Sequence, residues 1–303
     1  MTINEILADI KSDRKKKIIL DTDTYNEIDD QFALAYCYLA DKMELLSVNA
    51  VGFLNERSES YADGMEKSYK EAIKTLKLVD PDYTTPVYRG SLERLEETGE
   101  NFTESEAAEN IIKTVREGDE IIYVLAIGGI TNVTSAIMKA PDIKDNMCVI
   151  WLGANTFEHE HIHEFNLYQD LRASQLLVNS GVPLLLCPAW WVTAVLSANM
   201  GHFKDLRDGG NNICEYLYSI TEECYIGAGS PDRWTRIIWD IAAPAIIDRP
   251  ECADIEIITA PVFTNDYHYA FDSSRHKIMY LKGLDREIVY EGAWKAIKSA
   301  KKY

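Results

Sequence analysis

The sequence predicts an α/β fold: an open, mostly parallel sheet flanked by helices, in a single domain. Two observations predict it. Short apolar runs that end in Gly, Asp or Asn alternate with segments of helical apolar spacing through the first 190 residues, which is the pattern of successive βαβ units. No linker, internal repeat or low-complexity tract divides the 303 residues, so one domain accounts for a chain near the upper end of single-domain length.

The elements follow in order. The opening MTINEILADIKSDRKKK places Ile3, Ile6, Leu7 and Ile10 on one helical face, so residues 1–16 read as the N-terminal helical extension of a single domain over 1–303. Its acidic residues and broken apolar pattern exclude a signal peptide. Residues 17–20 are a strand, and Phe32 to Leu39 have helical spacing without Gly or Pro. Residues 43–51 form the next strand, 58–78 a helix, and PVYRG (86–90) a short extended piece. A helix at 104–116 precedes the apolar strand 121–127, which ends in Gly128 and Gly129 and leads through Ile130 into another helix. Strand 147–152, helix 171–179 and strand 182–187 continue the alternation. The stretch 190–240 is rich in Tyr and Trp, 255–261 and 277–281 are late strands, and 285–302 is the last helix.

Composition narrows the function classes. The chain is 47% hydrophobic and 26% charged, with a net charge of −18, which argues against nucleic acid or an anionic membrane as partner. The six cysteines are scattered, with no Cys-x-x-Cys pair, as expected for thiols in a reducing compartment. No apolar run approaches the length of a membrane span. These features predict a cytoplasmic protein.

The chemistry concentrates at the end of the first strand. Asp21, Asp23, Glu27, Asp29 and Asp30 put five carboxylates within ten residues. Like charges held this close share protons or need a cation between them, and Ca²⁺ or Mg²⁺ takes oxygen ligands of this kind. The structural alternative is a solvated turn with Asp29 or Asp30 capping the following helix. Two other strand ends, 128–132 and 155–170, belong on the same edge of a parallel sheet. Asp240 stands alone in IIWDIAAPAII, where it needs a metal, an N-cap role, or a buried pairing with Arg233 or Arg236.

The ordered set DTDTYNEIDD, Asn55, PVYRG, GGITN, EFNLYQD and WDIAAPA resembles nucleoside hydrolases of the inosine-uridine-preferring family, over nearly the whole chain. The resemblance implies a Rossmann-like domain that binds one Ca²⁺ and hydrolyses the N-ribosidic bond of a nucleoside, in a homo-oligomer. It implies Asp23 as general base and metal contact, Asp30 and Asp240 as calcium carboxylates, and Thr131 as a carbonyl ligand. Asp29, Asn55, Glu164, Asn166 and Asp240 are implied on the sugar, Glu164 and Asn166 at its 5′ side. An oxocarbenium-like transition state needs an activated water and charge stabilisation. A cation can make a water more acidic, and Asp23 can take its proton.

Three features depart from the family pattern. The Thr24–Ile28 turn is longer than usual, Phe53 and Leu54 separate Gly52 from Asn55, and Trp239 stands where many members have a His. Trp239 is the base-side candidate, by stacking that favours a purine, with core packing as the alternative. His159, His161 and His163 share one face of an extended segment. They read as a flap leading to Glu164 and a source of the leaving-group acid, or as a solvated loop, or as a transition-metal site. Tyr225, Arg233 and Trp234 read as helix surface and core, or as a segment closing over the base.

Two other function classes compete. Asp21-Thr22-Asp23 also resembles the start of the nucleophile motif of haloacid-dehalogenase-type phosphatases, though Tyr25 and the lack of matching downstream motifs weaken that fit. A non-catalytic nucleoside- or ribose-binding protein on the same scaffold is the other.

Overall fold

The structure is a computed structural model that describes residues 1–225 and 234–303. Its strands are β1 (Lys16–Thr22), β2 (Met43–Ala50), β3 (Val87–Tyr88), β4 (Ile122–Ala126), β5 (Met147–Leu152), β6 (Leu184–Cys187), β7 (Ser197–Asn199), β8 (Thr235–Ile237), β9 (Ala253–Thr259), β10 (Val262–Phe263), β11 (Tyr269–Ala270) and β12 (Lys277–Leu284). The helices are α1 (Ile3–Ile10), α2 (Asp29–Leu39), α3 (Tyr61–Val79), α4 (Leu95–Thr98), α5 (Glu106–Glu117), α6 (Thr131–Lys139), α7 (Phe165–Gln169), α8 (Leu171–Asn179), α9 (Met200–Arg207), α10 (Asn212–Tyr225), α11 (Ala242–Asp248) and α12 (Arg286–Lys298).

Eight strands form the central sheet in the order β3-β2-β1-β4-β5-β6-β12-β9. Neighbours pair parallel, except that β9 runs antiparallel to β12 at one edge. Period-two alternation divides the strand side chains between two apolar layers. Ile18, Leu20, Tyr123, Leu125 and Ile150 face the layer built with α2, α11 and α12. Ile19, Ile122, Val124, Val149 and Trp151 face the layer built with α5, α6 and α8. Helices therefore cover both faces, as a parallel sheet requires. The result is a single α/β domain.

The chain leaves β1 for β2 on one side and β4 for β5 on the other, so the strand order reverses between β1 and β4. In open α/β sheets the crevice at the carboxyl ends of such a pair is the ligand position.

The N-terminal segment contributes Ile6 and Ile10 to the main core, and Lys16 already belongs to β1. The helix after the acidic loop is buried nearly all round, from Asp29 to Cys37. It lies beneath α3 and α12 and beside the 3₁₀ turn Trp239–Ile241, so its apolar residues lack a single-faced pattern.

Candidate active site

The crevice between β1 and β4 opens into a cleft of about 230 Å³. Its lining includes the acids Asp23, Asp29, Asp30 and Asp240, the polar side chains of Glu164 and Asn166, and the rings of Trp190, Trp239, His163 and Phe165.

Each acid is held by a regular element. Asp23 directly follows β1, and Asp29 and Asp30 occupy the first turn of α2. Neither caps that helix: the N-cap is Ile28, with no side-chain cap bond. The carboxylates are thus free of the capping role that the solvated-turn alternative gave them. The partial positive charge at the helix start favours anions there. Asp240 comes from the 3₁₀ turn Trp239–Ile241, whose Trp239 N–H donates to Asp29 Oδ2 at 3.0 Å. The Thr22 hydroxyl donates to Asp30 Oδ1 at 2.5 Å.

Carboxylate oxygens of Asp29, Asp30 and Asp240 all lie within 4.8 Å of one another. Burial, then the negative charges of Asp29, Asp30 and Asp23, push the Asp240 carboxyl well above its ordinary range. Burial and the neighbouring Asp30 do the same to Asp23, and burial followed by Glu27 to Asp29. Asp30 is pushed up to about 6 by burial, with the Thr22 hydroxyl opposing.

Both carboxylate oxygens of Asp23 are buried without a hydrogen-bond partner. A side chain on Gly128 would come within 2.9 Å of Asp23 Oδ1, so only glycine lets the β4 turn pass this close. Buried, unpartnered and mutually repelling oxygens suit a hard divalent cation. The donor set fits the group expected from the sequence.

The remaining predicted residues fall into two sets. Glu164 caps α7, accepting from the N–H groups of Ala154, Asn166 and Leu167 at 3.0–3.1 Å. Burial pushes its carboxyl up to about 7 against those bonds. Asn166 Nδ2 donates to Ile127 O and Leu152 O, each at 3.0 Å, which ties the side of the cleft to the ends of β4 and β5. These two line the cleft.

Asn55 and Thr131 stand behind it. Asn55 Nδ2 donates to Asn26 Oδ1 at 2.6 Å, and it is Asn26 that lines the cleft. The Thr131 hydroxyl donates to Asp170 Oδ2 at 2.8 Å and accepts from the Tyr61 hydroxyl. Asp21, buried in β1, accepts from Asn132 Nδ2 at 3.1 Å and does not line the cleft. Burial raises its carboxyl to about 7. A phosphatase nucleophile at Asp21 would have to meet substrate, and this one is walled off.

The family model described as inosine-uridine preferring nucleoside hydrolase matches residues 18–262. The chain belongs to this family. Nucleoside hydrolases are N-glycosyl hydrolases. Among similar solved structures are a plant nucleoside hydrolase at 16% identity and the purine-preferring ribonucleoside hydrolase from Gardnerella vaginalis at 20%. Each superposes with a TM-score of 0.75 over 94% of this chain and 99% of the other. An inosine-guanosine nucleoside hydrolase matches with the same TM-score at 18% identity. Among curated proteins, an uncharacterized protein of Schizosaccharomyces pombe is 32% identical over 90 residues, which span 28% of this chain and 29% of that protein.

In this member of the nucleoside hydrolase family the aromatic end of the cleft was the least expected part. Trp190 meets Trp239 edge-on, with ring centroids 5.4 Å apart and planes at 78°. Its position just after β6 and Pro188 was the signal available in sequence. Of the three flap histidines only His163 lines the cleft, its ring stacked on Tyr168 at 4.6 Å. His159 Nδ1 instead contacts His161 O at 2.9 Å. Among the described residues the three imidazoles are not gathered as metal ligands. Tyr225 and Trp234 pack against each other and on the core, and Arg233 lies outside the described residues. No helix of the described residues is long and apolar enough to cross a membrane.

Proposed function

We propose that this protein hydrolyses the N-ribosidic bond of a nucleoside to ribose and free base, with Ca²⁺ as its resident cation. The observation that carries the reading is the carboxylate trio Asp29, Asp30 and Asp240 beside the unpartnered Asp23, at one end of a cleft closed by aromatic rings. Asp23, Asp30, Asp240 and the Thr131 carbonyl are the proposed ligands, with Asp29 close enough to join them. When bound, the cation supplies a Lewis acid that makes a water more acidic.

The chain's own residues do the rest. Asp23 accepts the proton of the attacking water, both of its carboxylate oxygens being buried without another hydrogen-bond partner. Asp29 and Asp240 accept hydrogen bonds from ribose hydroxyls, and Asn26 stands where Asn55 can orient it toward the sugar. The carboxylates stabilise positive charge developing on the ribose ring. Glu164 and Asn166 hold the 5′ side. Trp239 and Trp190 enclose the base, which favours a purine. His163, the flap histidine in the cleft, protonates the leaving base.

Five of the six cysteines are free and buried, which supports a reducing, cytoplasmic setting; light scattering tests the proposed homo-oligomer. The functional experiment is a reducing-sugar screen across purine and pyrimidine nucleosides, with and without a calcium chelator. Release of ribose that disappears with chelator is expected. Tight nucleoside binding without sugar release would favour the binding-protein reading.

A further inference from the structure

The acidic end of the cleft carries a cation of its own. Arg236 sits on β8, where it pairs opposite Ala198 of β7, shortly before the turn that presents Asp240. Its guanidinium contacts the Glu27 carboxylate from the long loop ahead of α2. Glu27 lines the catalytic cleft on one side and, on the other, a second cavity with Tyr25, Gln31 and Arg57. The Arg236 side chain is only 29% exposed, and its Nε is buried without a partner. Glu27 shares the lining of the cleft with Asp23, Asp29, Asp30 and Asp240, and Trp239, three residues beyond Arg236, donates its N–H to Asp29 Oδ2 at 3.0 Å. Asp29, Glu27 and Asp240 in turn hold Arg236 in its charged form despite burial.

We propose that Arg236 is a built-in counter-cation that weakens the hold of the acidic cluster on its divalent ion, and that Glu27 restrains its guanidinium from occupying the ligand carboxylates. This rests on the cation reading given above. A guanidinium stays charged at any working pH, so it competes for the same negative potential that attracts the ion. Its fork can also bridge two carboxylates, and Asp29 and Asp240 are within its electrostatic reach. By taking the Glu27 carboxylate, Arg236 keeps a fixed position behind this residue of the cleft wall. There it offsets part of the repulsion in the ion-free state without filling the site. The pair therefore sets the site for exchange of the ion rather than permanent capture.

The test is calorimetric titration of Ca²⁺ into the chelator-stripped full chain at fixed ionic strength, with melting curves in excess chelator to verify folding. Arg236→Met removes the charge and keeps most of the aliphatic stem. It should bind Ca²⁺ at least about tenfold more tightly, since a unit charge near a divalent ion opposes it strongly at protein dielectrics. Arg236→Lys keeps the charge and should stay within about threefold of the wild type. Glu27→Gln frees the guanidinium and should weaken binding roughly tenfold. In chelator, Arg236→Met should melt below the wild type, because the carboxylates lose a neighbouring full positive charge. Unchanged or weaker binding by Arg236→Met overturns the proposal; so does unchanged or tighter binding by Glu27→Gln, which decides the matter should Arg236→Met fail to fold. A wild-type protein that takes up no Ca²⁺ brings down the cation reading itself, a distinguishable result.

Discussion

The two ends of the cleft are built differently. The acidic end hangs on regular structure: the tip of β1, the first turn of α2, and a 3₁₀ turn tied to α2 by the Trp239–Asp29 bond. The aromatic residues are carried mostly on connections, the 159–163 segment and the turn after β6 with Trp190, while Trp239 shares the 3₁₀ turn of Asp240. The residues proposed for the chemistry sit on regular elements, and most of the rings proposed to meet the base sit on loops. Trp191, next to Trp190, adopts φ of 72° and is 62% exposed. A bulky side chain in the left-handed region is held there by its surroundings.

This contrast orders the expected effects of mutation. Asp23→Asn should reduce turnover by about 10³-fold or more with little change in nucleoside binding, since it removes a base and leaves the cleft's shape. Single-turnover kinetics beside equilibrium binding checks it, and a loss confined to binding would reassign Asp23. Asp240→Asn should abolish Ca²⁺-dependent stabilisation as well as activity, read from melting curves with and without the ion. At the other end, Trp190→Ala and Trp239→Ala should each raise KM by about tenfold, more for purine than for pyrimidine nucleosides. Equal losses for both classes would make those rings structural.

The difference also has a pH signature. In the ion-free protein, Asp21, Asp30 and Glu164 have carboxyls raised to about 7, 6 and 7 respectively, above the ordinary value near 4 of the unfolded chain. The folded state then holds protons that the unfolded state has released. Stability from these groups is full below about pH 4 and falls as pH rises through the folded values, by about 1.4 kcal/mol per pH unit for each retained proton. Urea unfolding of chelated protein between pH 4 and 8 should show that decline. Added Ca²⁺ should reduce it, because a cation stabilises the ionised Asp30. A flat profile without the ion would mean that the acidic end is already neutralised.

Sequence made the rigid end legible. Strand ends marked by Asp or Gly locate the edge of a parallel sheet, and their convergence follows from topology alone; Asp23, Asp29, Asp30, Glu164, Asn166 and Asp240 all reach the cleft. What it could not give was lateral placement behind that edge. Asn55 and Asn26 are far apart in the chain, and nothing local says which of the two faces the ligand. Thr131 and Asp170 likewise form a supporting bond, between the first turn of α6 and the N-cap of α8. Arg236 was one of two arginines available to Asp240, and only the fold brings it to Glu27. The loop-borne aromatic end depended on the path of the chain after β6, for which Trp190 and Trp191 offer no periodic signal. Even in the fold, α2 lost its amphipathic pattern because it is covered on every side.

The most direct test of the account is ribose release from inosine by chelator-stripped protein, before and after Ca²⁺ is restored. The expected result is negligible release without the ion and turnover once it is returned. Equal release in both states, or none from any nucleoside with the ion bound, would contradict it.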